Sequence, residues 1–164
     1  MAQTTFGQTD ALALEVVAWL NDNAHEFCLP IVAERRFRLI SELGEIPAAS
    51  ASASVDVFPD VDTSERLGVA PAFTSSYTIH VFIQQQVGGN PGPEAQCTLL
   101  TQLRSQIIEG LKPLMFSLVN AVHPTQRVFL THARSADKGL YNLARLLELN
   151  VYESDTILTF KAAV

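Results

Sequence analysis

The stretch from Ser76 to Val87 constrains the fold more than any other part of the chain. Tyr77, Ile79, Val81, Ile83 and Val87 fall on one side of a two-residue alternation, and Thr78, His80, Gln84 and Gln86 on the other. That period belongs to a strand with one face buried. Phe82 is the exception. Gly88-Gly89-Asn90-Pro91-Gly92-Pro93 then breaks the chain. From Glu94 to Leu118 the pattern is helical: Leu99, Leu103, Ile107 and Leu111 step by four, with Leu100 and Ile108 beside them. Pro113 ends or kinks that helix near Lys112. A half-buried strand next to an amphipathic helix calls for a layer of helix on sheet.

The remaining segments extend this scheme. Asp10 to Asn23 carries Leu12, Val16, Trp19 and Leu20 at helical spacing, with Thr9 or Asp10 as start and Asn21-Asp22-Asn23 as stop. Ile31 to Ile40 alternates as a strand with one wet face; a helix is the alternative, because Glu34 and Arg38 stand four apart. Residues 41–54 read as a loop of small residues, Val55 to Pro59 as a strand closed by proline, and residues 60–73 as a second loop. Gln126 to Thr131 is a short strand, Asp137 to Leu147 a short helix, and about Ser154 to Ala162 the last strand. The expected class is α+β: a mostly antiparallel sheet flanked by an N-terminal helix and a long central helix. A chain of 164 residues fits one domain, with flexible loops near 41–54 and 60–75.

Composition sets limits on function. The chain is 48% hydrophobic but only 17% charged, with a net charge of −6. Its sequence pI is near 5.1 and its mean hydropathy +0.17. The acidic balance makes nucleic-acid binding a poor first expectation. Soluble monomers usually carry more surface charge than this. The N-terminus has no basic region leading into an apolar run, and no apolar stretch approaches the roughly 20 residues of a membrane helix. The expectation is a protein made, and soluble or assembled, in a cytoplasm. Cys28 and Cys97 stand apart in unrelated contexts, so two free buried thiols are expected and a zinc site is not.

Catalytic patterns are weak. His25, His80, His123 and His132 form no metal-ligand spacing. His132 and Asp137 would serve as base and orienting acid with Ser135 or Cys97 as nucleophile, but neither nucleophile sits in an elbow sequence. A polar loop is the favoured reading. The glycines at 88, 89 and 92 lack a phosphate-loop lysine, and the prolines among them remove backbone donors. Asp60-Val61-Asp62-Thr63-Ser64-Glu65 is only a fragment of a calcium loop. Asp56, Asp60, Asp62 and Glu65 read instead as an acidic loop for a basic partner, or one that repels a phosphate chain. Arg35, Arg36 and Arg38 put charge on both faces of their strand, as an edge strand or an interface does.

The order of segments resembles one family. Val55-Asp56-Val57-Phe58-Pro59, then a loop into Phe73-Thr74-Ser75-Ser76, then Tyr77 to Gln86, then the helix around Leu99 to Leu111, and the ending Thr156-Ile157-Leu158-Thr159-Phe160-Lys161-Ala162 are similar to tail terminator (tail completion) proteins of long-tailed bacteriophages. Ala33-Glu34-Arg35-Arg36-Phe37 resembles an early stretch of the same family. The likeness covers roughly residues 10–162 and departs at Leu140 to Leu149.

The resemblance implies a non-enzymatic virion protein without catalytic residues, cofactor or metal. It implies a hexameric ring at the head–tail junction that caps the tail tube, ends its polymerisation and meets the head-neck connector or head-closure protein. DNA would pass through an acidic lumen without specific binding. Candidate subunit contacts are Arg35, Arg36, Arg38, His80, Gln84 and Gln86; Asp56, Asp60, Asp62 and Glu65 are candidates for the lumen or a partner. The alternatives are another neck, head-closure or tail-tube subunit, a small hydrolase, or a small-molecule-binding domain with a pocket beside the Leu99–Leu111 helix.

Overall fold

Helix α1 (Phe6–Asp22) forms because Leu12, Val16 and Leu20 repeat every four residues, and with Ala13 they are completely buried. The structure is a computed structural model. It describes residues 6–37, 46, 52–60, 63–67, 72–88, 92–120, 123–137 and 141–162. The helix starts earlier than its expected cap: Thr9 is buried within it, and Asp10 faces Arg35 instead of the helix end. Its C-terminus closes where expected. The backbone N–H and the Nδ2 of Asn23 both donate to the Trp19 carbonyl, at 3.1 and 2.8 Å.

Seven strands follow in one sheet: β1 (Ile31–Arg35), β2 (Ala53–Pro59), β3 (Thr63–Leu67), β4 (Ala72–Gln86), β5 (Met115–Val119), β6 (Arg127–Asp137) and β7 (Val151–Ala162). Their order is β1-β2-β4-β7-β6-β5, with β3 also on β4. Only β1 and β2 pair parallel; every other pair is antiparallel. Helix α2 (Pro93–Leu111) joins β4 to β5, and α3 (Leu143–Leu149) joins β6 to β7. The α+β class is as the sequence indicates.

Besides β6, which runs on to Asp137 through residues read as a polar loop and a helix start, so that α3 begins only at Leu143, two segments differ from their sequence reading. Residues 60–75, expected as a loop, hold β3 and the start of β4. β2 and β3 lie end to end along one edge of β4. Pro59 faces Ile79 while Thr63 faces Ser76, so the β2–β3 side carries one extra residue, the count of a β-bulge. The two strands and β4 thus make one long hairpin arm. β3 pairs down to Ala72, whereas β7 leaves β4 at Ser76, so the arm outruns the neighbouring strand. The second difference is at residues 112–118. The helix expected to reach Leu118 stops at Leu111, because Pro113 cannot donate to its ladder, and Phe116 and Leu118 then alternate inward on β5.

Both long helices cover the same face. Tyr77, Ile79, Val81 and Ile83 of β4 point toward them, as do Val55 and Val57 of β2 and Leu158 and Phe160 of β7. The helices also touch each other. A Cβ on Gly110 of α2 would stand 2.6 Å from the Trp19 ring, so only glycine lets α1 approach. Arg104 of α2 is buried. It is ion-paired with Asp137 of β6, and its Nε donates to Thr156 Oγ1 of β7 at 3.1 Å.

The sheet is curled, and α1 staples its two ends. Gln8 donates to the Val119 carbonyl of β5 at 3.3 Å, and Asp10 pairs with Arg35 of β1. These partners are only two residues apart on one helical turn, yet they hold strands from opposite ends of the sheet. The face away from the helices is therefore convex. Asn21 closes the outer edge of β1. Its Oδ1 accepts from Ala33 N at 2.9 Å and its Nδ2 donates to Ala33 O at 3.0 Å, the two bonds that another strand would make.

Candidate functional site

The convex face carries every described side chain singled out in the sequence as a contact, except Arg35. His80 lies at its centre on β4. Its Nδ1 is 3.0 Å from Asp155 Oδ1 on β7, and its Nε2 is 3.2 Å from Asp60 Oδ2 at the bulge after β2. The bond to Asp155 raises the His80 pKa above its ordinary value; burial opposes this, and Asp60 adds to it. Once protonated, the ring can donate to both carboxylates and tie the base of the arm to β7.

Three phenyl rings surround this trio. Phe58 and Phe82 pack edge to face with centroids 6.1 Å apart. Phe37, 66% exposed, stands at the rim with the Arg35 guanidinium 4.4 Å above its ring. With Pro59, Asp60 and Asp155 they enclose a cavity of about 230 Å³. Phe82, the exception to the β4 alternation, is thus an outer-face residue that builds a cavity wall. That irregularity was the signal in the sequence; nothing there linked it to Phe37, Phe58 or Asp155.

The other nominated residues are spoken for. Arg35 pairs with Asp10 on the helix side. Arg36 bridges Asp56 at 2.8 Å and Glu34 at 3.0 Å. Gln84 is buried and donates to Glu153 at 3.1 Å, and Gln86 donates to the Ile46 carbonyl at 3.1 Å. Gln84 thus supports the face from within, and Gln86 is half-buried at its end. Asp56 lies on β2, in the strand expected there and apart from the loop acids it was grouped with; it is buried, and burial raises its carboxyl pKa despite the Arg36 bond. Arg38 and Asp62 lie outside the described residues, and Glu65 falls on β3.

A different patch occupies the opposite end of the same face. In register, Met115 faces Thr131, which faces Lys161; Ser117 faces Phe129; Val119 faces Arg127; and Arg134 faces Thr159. Met115 (59% exposed), Val119 (51%) and Phe129 (43%) are open to solvent. Arg127 spends its guanidinium on Ser117, at 2.7 Å to Oγ and 2.8 Å to O. Arg127, Arg134 and Lys161 make no ion pair with any described carboxylate. No residue of β5 is acidic. The sequence hid this strip, because residues 112–118 read as helix.

A second concavity lies between α2 and α3. It measures about 800 Å³ and is lined by Cys97, Thr98, Thr101, Tyr141, Leu143 and Leu147 among others. α3 is capped by Asn142, whose Oδ1 accepts from Arg145 N, and closes on Asn150 in the left-handed conformation. Leu143 and Leu147 stand exposed on it.

The hydrolase arrangement does not assemble. His132 Nε2 meets Ser135 Oγ at 2.8 Å, but Asp137 is engaged by Arg104 and does not orient the ring. Burial, with Lys112 adding, lowers the His132 pKa. Cys28 and Cys97 are free and half-buried. Among the described residues no three His, Cys, Asp or Glu side chains are grouped to hold a metal, and no helix is long and apolar enough to cross a membrane. No family model and no curated protein matches the chain.

Proposed function

We propose that this chain is a structural subunit of a phage particle, a tail terminator that assembles into a ring, caps the tail tube and joins it to the head-neck connector. One observation carries this reading. Among the described residues, a lightly charged chain leaves groups of large apolar side chains uncovered in three separate places, besides the single Leu14 on α1: Val32 and Phe37 near β1, Met115, Val119 and Phe129 on β5 and β6, and Leu143 and Leu147 on α3. Monomers rarely leave contiguous apolar patches open, and three patches suit a subunit with more than one neighbour. The hairpin arm that outruns β7 adds a reaching element of the kind that subunits exchange. The segment order that resembles tail terminators supports the same assignment.

DNA would cross such a ring without being held. The net charge of −6 favours repulsion from phosphate, and no base-reading element is needed. Negative-stain microscopy of the purified chain tests the proposal. Single closed rings are expected. Long tubes would assign the chain to the tube itself, and particles of one chain at all concentrations would contradict the proposal.

The groove between α2 and α3 favours a second reading, a small-molecule-binding domain. Its volume lies within the range of ligand pockets. A melting shift with one compound from a metabolite panel, in a chain that stays monomeric, would select this reading over the ring.

A further inference from the structure

The convex face is electrically divided. One end holds the cavity with Asp60 and Asp155 among three phenyl rings. The other holds Arg127, Arg134 and Lys161 around Met115, Val119 and Phe129, with no acidic side chain among them. Within one chain the cavity lies on β2, β4 and the middle of β7, and the strip on β5, β6 and the end of β7, so the two stand apart on the same face. We infer that the basic, apolar strip of one copy docks onto the carboxylate and phenyl cavity of the next, head to tail. This rests on the ring reading above and names its contact.

The chemistry of the two ends is complementary. A cavity of about 230 Å³ has room for the end of one lysine or arginine side chain. Phenyl faces attract a cation, and a carboxylate at the rim completes the charge. Asp60, half-exposed, is that rim group. Phe37 is the most exposed ring and offers apolar surface to Met115 or Phe129 of the incoming strip. Arg134 and Lys161 are exposed and free to move toward it. Complementary patches at different angles on one subunit generate head-to-tail contacts, which close into rings when the rotation allows. A two-fold pair would need one self-complementary patch, and neither end is that.

The test uses three variants of the full chain, each checked for an unchanged circular dichroism spectrum. The strip variant combines Arg134→Glu with Lys161→Glu. The cavity variant is Asp60→Lys, which places a cation where the incoming one would sit. Phe37→Ala is the milder cavity variant; it removes an exposed ring and leaves the core alone. Sedimentation velocity is run on each and on mixtures. The native chain is expected to sediment as a closed oligomer that weakens as salt is raised. The strip and Asp60→Lys variants are expected to sediment as single chains, and Phe37→Ala to need at least tenfold more protein to assemble. An equal mixture of the strip and Asp60→Lys variants is expected to form two-chain particles and nothing larger, since it retains one intact strip and one intact cavity.

Variants that assemble like the native chain would overturn the inference while leaving the ring reading standing. A mixture that stays monomeric would also overturn it. Loss of binding to DNA or to anionic vesicles in a strip variant that still forms rings would assign the strip to a polyanion instead. A native chain that never assembles would remove the ring reading itself.

Discussion

His80 is the residue on which the convex face turns. Both of its ring nitrogens face carboxylates, and its pKa is raised, chiefly by Asp155. A raised folded-state value means that protonation favours the fold. That contribution is full below the unfolded histidine value of about 6.5 and is lost as the pH rises through the folded value. His132, with its lowered value, acts in the opposite sense. The comparison must therefore be between the native chain and His80→Gln. Its melting-temperature gap is expected to be widest near pH 6, on the order of 1–2 kcal/mol in stability, and to shrink toward pH 8. A gap independent of pH would mean that the ring is held by packing alone. Gly110 gives a second residue-level prediction. Gly110→Ala drives a methyl group against Trp19 and is expected to cost about 1–3 kcal/mol. Trp19 is the single tryptophan, so its fluorescence reports the displacement directly.

At the scale of elements, edges decide what the sheet can join. Asn21 satisfies the outward N–H and C=O of Ala33, so β1 is closed to a new strand. Asn21→Ala leaves both groups open. It is expected to cost about 1–3 kcal/mol in urea unfolding and to increase non-specific aggregation on storage. How well the sequence foretold each element depends on how local its cause is. α1, β4 and the body of α2 were legible because their apolar periods are long and need no partner to be recognised. β5 was not, since Leu114 to Leu118 continues a helical spacing and only the prolyl break and the pairing with β6 make it a strand. β3 was not either, because a five-residue strand on β4 depends on register and not on composition. The Arg104 ion pair with Asp137 was equally hidden, as it joins residues distant in sequence. Arg104→Ala removes a buried guanidinium from Thr156 and from Asp137, whose carboxylate stays partly hydrated, and is expected to cost about 1–3 kcal/mol, read by thermal unfolding.

For the whole molecule, the site was half legible. His80 and Asp60 were singled out and do meet. Gln84 and Asp56 were nominated for a surface beneath which they are buried, because strand alternation tells which face a residue takes and not what covers it. The phenyl rings and the basic strip were missed for the converse reason: each is dispersed in sequence and is gathered only by the curl of the sheet. That curl also gives the low charge and high apolar content their meaning. On the proposed ring reading, uncovered apolar side chains at three places on a curved body are surface that neighbours cover, and the divided convex face gives two of those places opposite charge. The most direct test of this account is the mass of the native particle, measured by mass photometry over a range of concentrations. The account predicts one dominant closed species at a small whole multiple of the 17.9 kDa chain, six copies by the family resemblance. A single chain of 17.9 kDa at every concentration, or an open-ended ladder of masses, would contradict it.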